Sequence, residues 1–134
     1  MRKAVAASGR PGPTRRPPTS QLMGRWRITE MELWEPEDLD LLGPAQFALE
    51  RGGRGRMNFI AVDLVLDHQP AERDNRDGVE FTFSGSDEGD RVSGRGWAVL
   101  DGRKLRGRIY FHQGDDSGFV ARRLTGGQGT RQRP

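Results

Sequence analysis

The chain has no cysteine at all. That absence excludes a disulfide framework, thiolate catalysis, iron–sulfur clusters and cysteine-type zinc sites. Histidine is limited to His68 and His112, and lysine to Lys3 and Lys104, so arginine supplies almost all of the positive charge. No stretch approaches the roughly 18 consecutive apolar residues that a membrane-spanning helix needs. The opening, MRKAVAASG, has a basic start but an apolar run of only four residues, too short for the core of a signal peptide. A cytoplasmic location is the resulting expectation, with no membrane partner.

Large apolar side chains are also missing from both ends. Residues 1–21 carry five basic residues, four prolines and no acid. Such a segment buries too little surface to offset its ordering entropy, so a disordered basic tail is predicted there. The closing TGGQGTRQRP at 125–134 predicts a second disordered tail. A single domain remains at 22–124, long enough for one small core. Every acid lies inside it, so the domain holds 15 basic and 19 acidic residues, a net charge of −4 against +3 for the whole chain. Nucleic-acid binders carry their positive charge on a structured face, so specific nucleic-acid binding is not expected.

What is present is alternation with period two. Trp26 and Ile28 alternate with arginines in GRWRI (24–28), and apolar residues continue at Met31, Leu33 and Trp34. VEFTF (79–83) places Val79, Phe81 and Phe83 on one face. RGWAVL (95–100) is compact and rich in strand formers. KLRGRIYF (104–111) places Leu105, Ile109 and Phe111 on one face and Arg106, Arg108 and Tyr110 on the other, and GFVARRL (118–124) closes the series. This is the pattern of half-buried antiparallel strands. Turn signals separate the runs: ERGGRG (50–55), RDNRDG (73–78), SGSDEGD (84–90) and DGRK (101–104). The apolar run RMNFIAVDLVLDH (56–68) reads as one strand, bent or bulged. EPEDLDLLG (35–43) differs, with Pro36 at a first helical position, acids in the first turn and Gly43 as a stop. It predicts one short helix near 36–42 with Leu39 and Leu42 on its inner side. The expected fold is all-β, a small antiparallel up-and-down barrel or strongly curved sheet carrying that helix.

Three motifs carry a resemblance. GRWRITEMELWEPEDLDLL, SGRGWA and FHQGDDS stand in this order within residues 24–123. They resemble a family of small uncharacterised bacterial proteins with a G-x-W-R-I-x-E-M-E-L-W opening, an S-G-R-G-W-A centre and an F-H-x-G-D-D-S ending. That resemblance implies a domain identity and no activity. More loosely, GRW at 24–26 and ARR at 121–123 resemble the calycins, the lipocalin and fatty-acid-binding-protein barrels. The resemblance implies a first-strand Trp26 packed under a last-strand arginine, Arg123 or Arg122, as a structural clamp.

Chemistry-bearing residues are few. His112, Asp115 and Asp116 suit a metal by ligand type, but the aspartates lie in the connection 113–118 and no second histidine follows at ligand spacing. Turn chemistry from Gly114, Asp115, Asp116 and Ser117 is the simpler reading. Glu30 and Glu32 flank Met31 and share a face; solvent exposure avoids the cost of burying two unpaired carboxylates. A bulge between Ile28 and Met31 would permit it. No nucleophile elbow, Walker loop or Ser/His/Asp set is present. An enzyme would need His112 to converge with Glu30, Asp115 or Asp116, and none is expected. The expected function is non-catalytic binding of a small apolar or amphipathic ligand at a barrel mouth, without a cofactor or metal. The candidate ligand-binding residues are Trp34, Leu39, Leu42, Trp97 and His112, and the candidate clamp is Trp26 with Arg123. The alternative is a protein–protein interaction module using a sheet edge or a charged face.

Overall fold

The computed structural model of the protein describes residues 21–124. Of the tails expected at 1–21 and 125–134, residues 1–20 and 125–134 lie outside the described residues, and Gln21 lies inside them. Within them, eight antiparallel strands are joined in sequence order and close on themselves: β1 (Gly24–Met31), β2 (Gln46–Leu49), β3 (Arg54–Phe59), β4 (Val62–Arg73), β5 (Arg76–Asp87), β6 (Asp90–Asp101), β7 (Lys104–Phe111) and β8 (Asp116–Arg123). A one-turn helix, α1 (Pro36–Leu39), sits between β1 and β2. The fold is therefore an up-and-down closed barrel with one short helix, as the alternation predicts. Closure gives every strand two neighbours, although β4 beyond Asp67 pairs with β5 alone.

The turns follow local chemistry where the sequence advertises it. Asp74 and Asn75 both adopt positive φ between β4 and β5, as do Glu88 and Gly89 between β5 and β6. These are the left-handed conformations that tight hairpins require. The stretch 56–68 departs from expectation. It is not one strand but two, with the chain reversing at Ile60 and Ala61. Ile60 takes φ 54°, which a β-branched residue rarely adopts. Its N–H donates to the Leu39 carbonyl at 2.7 Å.

Strand β1 carries the bulge that its pattern suggested. Its register against β8 shifts between Ile28 and Glu30, so Trp26, Ile28 and Met31 all face the interior while Glu30 and Glu32 stay exposed. Leu33, by contrast, is not in the core. It is 46% exposed, beyond the end of the strand. Helix α1 ends at Leu39, which is buried, whereas Leu42 is 77% exposed. The two leucines do not share a face because the helix stops before a second turn could align them.

The interior is one continuous apolar cluster that includes Trp26, Phe47, Phe59, Phe81, Phe83 and Phe119. Three phenylalanines each lie across a glycine on the neighbouring strand: Phe81 against Gly96, Phe83 against Gly94 and Phe119 against Gly107. A Cβ added at Gly96, Gly94 or Gly107 would fall 2.5, 2.6 and 2.7 Å from the respective ring. The glycines therefore let bulky rings lean onto the wall of a narrow barrel. The rings also touch one another, with Phe47 5.5 Å from Phe81 and 5.2 Å from Phe119 between centroids.

The barrel has two poles. One holds α1, the Ile60–Ala61 turn and the β7–β8 turn. The other holds the start of β1, the end of β8 and a 3-10 turn at Arg51–Gly53.

Candidate functional site

Strict alternation puts Gly94, Gly96 and Ala98 of β6 inside, so Arg95 and Trp97 project outward. The register then assembles two rows across the outer wall. Gln69, Glu80, Trp97, Arg108 and Gly118 are successive cross-strand neighbours, and the next row runs Asp67, Thr82, Arg95, Tyr110 and Asp116. A concavity of about 510 Å³ opens on the β4–β6 part of this wall, lined by Asp67, Gln69, Arg73, Glu80, Arg95 and Trp97. On the other side of Trp97 lies a groove of about 350 Å³ bordered by Glu30, Glu32, Arg106 and Arg108. The indole is thus the ridge between two grooves.

The arginines on this wall fall into two kinds. Arg106 bonds Asp101 at 3.0 Å, and Arg76 bonds the same carboxylate at 3.1 Å. Arg108 reaches Asp116 at 2.7 Å and Glu32 at 3.0 Å, while Glu32 also accepts the Gly118 N–H. The hydrogen bond to Asp116 raises the pKa of the Arg108 guanidinium above its ordinary value, with the Glu32 charge adding to it and partial desolvation opposing. Arg73 and Arg95 differ: neither makes an ion pair among the described residues. Instead Arg73 lies over the Trp97 ring at 4.1 Å, and Arg95 over the Tyr110 ring at 4.3 Å. The two rings are linked in turn, because the Trp97 Nε1–H donates to the Tyr110 hydroxyl at 3.4 Å. Stacking holds a guanidinium by its face and leaves its N–H edge free for an acceptor.

The residues expected to form a ligand pocket are dispersed. Trp34 packs on Phe59 with centroids 5.4 Å apart, and Leu39 is buried at the same Phe59–Ile60 corner. Both help close the α1 pole. Leu42 points into solvent, and His112 is exposed in the β7–β8 turn, where its backbone N–H donates to the Ser93 carbonyl at 2.8 Å. Trp97 is on the outer wall. Of the five, Trp97 lines the two outer-wall grooves.

The stretch RIYFHQGDDSGFVARR forms the β7–β8 hairpin, with Gln113 at φ 58° and the Phe111 N–H closing onto the Asp115 carbonyl. Asp116 is already a strand residue, paired with Arg108. No group of three or more metal-ligating side chains occurs among the described residues.

At the opposite pole Arg123 lies 4.1 Å from the Trp26 ring centroid. It donates to the Met23 and Gln21 carbonyls, and the Trp26 Nε1–H donates to Leu22 O at 3.0 Å. Burial lowers the Arg123 pKa from its ordinary value. Arg122 faces solvent.

Nothing in the sequence marks Arg73 or His68 in advance. His68 faces inward from β4, and its Nε2 meets the Glu50 and Arg54 carbonyls at 3.0 and 2.8 Å. Two carbonyl partners place the hydrogen on Nε2, so the ring stitches the β2–β3 connection to β4. The signal for Arg95 was present: it sits two residues before Trp97, hence on the same face.

Together these features define the class: a small eight-stranded all-antiparallel closed barrel with a buried aromatic cluster, consistent with a calycin-like fold. No family model, curated protein or solved structure matches the chain.

Proposed function

We propose that this protein is a non-catalytic, calycin-like binding barrel whose ligand site is on its outer wall, at the groove beside Trp97, rather than in the lumen. The observation that carries the reading is the contrast between inside and outside. Aromatic rings lean on the inner wall and on each other in one cluster, while a concavity of ligand size lies outside. Support for a binding role also comes from the pre-positioned arginines, since rigid stacked side chains lose little freedom when a ligand arrives.

Native mass spectrometry of protein purified from its own host tests this. A one-to-one small-molecule adduct is expected in the wild type and in the lumen variant Phe47→Leu, a fully buried ring of the inner cluster, and is lost in Trp97→Ala. An adduct that survives Trp97→Ala and disappears in Phe47→Leu would place the site inside the barrel and overturn the reading.

A second reading, a protein-interaction module, is favoured by one specific feature. Leu41 and Leu42 are 63% and 77% exposed next to Glu35, Glu37 and Asp38. Clean apo protein together with loss of partner capture in a Leu41→Ser/Leu42→Ser variant would favour it.

A further inference from the structure

We infer that the Trp97 groove takes a small zwitterion, with an oxyanion held by Arg73 and Arg95 and a cationic nitrogen held by Glu80. This names the ligand class for the outer-wall site and rests on that reading.

The arginines of this wall are unequally committed. On this wall Arg76, Arg106 and Arg108 are each tied to a carboxylate, whereas Arg73 and Arg95 are tied to aromatic faces. A guanidinium stacked by its face keeps its in-plane donors available, the geometry suited to a carboxylate or phosphate. Both arginines line the same concavity. The Trp97–Tyr110 hydrogen bond couples their two platforms and fixes the spacing between them.

A simple anion is not the best fit, because Glu80 is the direct cross-strand neighbour of Trp97 and faces the same concavity, with Asp67 further along. Neither carboxylate is within ion-pair distance of Arg73 or Arg95. A multiply charged anion would be repelled by that flank. A ligand with a cationic nitrogen on the far side from its oxyanion satisfies both halves of the groove. The volume of about 510 Å³ suits a small molecule.

The test is a titration of the full chain, with the indole N–H signals of Trp97 and Trp26 read separately in ¹H–¹⁵N spectra. Four probes are used: phosphoethanolamine, β-alanine, inorganic phosphate and ethylamine. The expected result is that at least one zwitterion shifts the Trp97 signal saturably, with an affinity about tenfold or more above that of inorganic phosphate and ethylamine. Which zwitterion binds tighter separates a phosphate from a carboxylate as the oxyanion. Arg73→Gln and Arg95→Gln each weaken the bound zwitterion about tenfold or more, and Glu80→Gln removes the preference over inorganic phosphate. Saturable binding of phosphate or ethylamine as tight as that of the zwitterions, or no Trp97 shift with any probe, would overturn the ligand class. Shifts at Trp26 with none at Trp97 would instead overturn the outer-wall site itself.

Discussion

Arg123 does three jobs with one side chain: it covers the Trp26 ring, and it donates to the carbonyls of Gln21 and Met23. The planar fork makes this possible, because its face and its edge are used at once. Replacement by alanine removes the stack and strands acceptors that a partly desolvated charge had satisfied. A loss of about 2 kcal/mol in unfolding free energy is expected for Arg123→Ala. Arg123→Lys should recover only part of that loss, since an ammonium cannot stack and bridge together. Urea unfolding followed by tryptophan fluorescence measures both, and a loss below about 0.5 kcal/mol for the alanine variant would show that the stack is ornamental.

Helix α1 shows how two adjacent-looking leucines differ in weight. Leu39 is buried under the Phe59–Ile60 corner and Leu42 projects into solvent. Leu39→Ala is therefore expected to cost about 2–4 kcal/mol, and Leu42→Ala to stay within about 0.5 kcal/mol. Equal effects in denaturant unfolding would mean that α1 is packed differently. The same element illustrates what the sequence discloses. The Pro36 start and the acidic first turn were legible because they are local signals. The inner position expected for Leu42 failed because the helix is one turn long, a limit set by the chain turning back toward β2. The Ile60–Ala61 reversal was illegible for a related reason. Its residues are apolar and carry no turn signature, so the conformation is imposed by the register of β3 on β4 and by the bond to Leu39. The β1 bulge, in contrast, was readable from the spacing of Ile28, Met31 and two acids. Of the candidate site, the outward face of β7 was legible from its alternation. The face of Trp97 was not, because hydrophobicity alone favoured the interior and only the inward glycines Gly94 and Gly96 settle the parity.

Across the whole molecule the seams are unequal. β4 pairs with β5 over twelve residue pairs and β5 with β6 over ten, whereas β1 meets β2 over only four. Local opening follows the density of hydrogen bonds and buried contacts. Amides of β2 are therefore expected to exchange with deuterium through sub-global opening, well before those in the centre of β5. Uniform protection around the ring, read by hydrogen exchange with NMR, would show instead that closure makes the barrel open only as a whole. The long hairpins β4–β6 also carry the Trp97 groove, so the proposed site stands on the stiffest part of the wall rather than on its weakest seam.

Closing the ring with β1 beside β8 has a consequence for how this protein is handled and displayed. Gln21 is bonded to Arg123, and the Leu124 N–H donates to the Arg25 carbonyl at 2.9 Å. The described chain thus enters and leaves side by side. A tether or label attached at Gln21 or Leu124 departs from the same end of the cylinder. Immobilised through it, the barrel stands upright, with the leucine-tipped end outermost and the long sides open to solution.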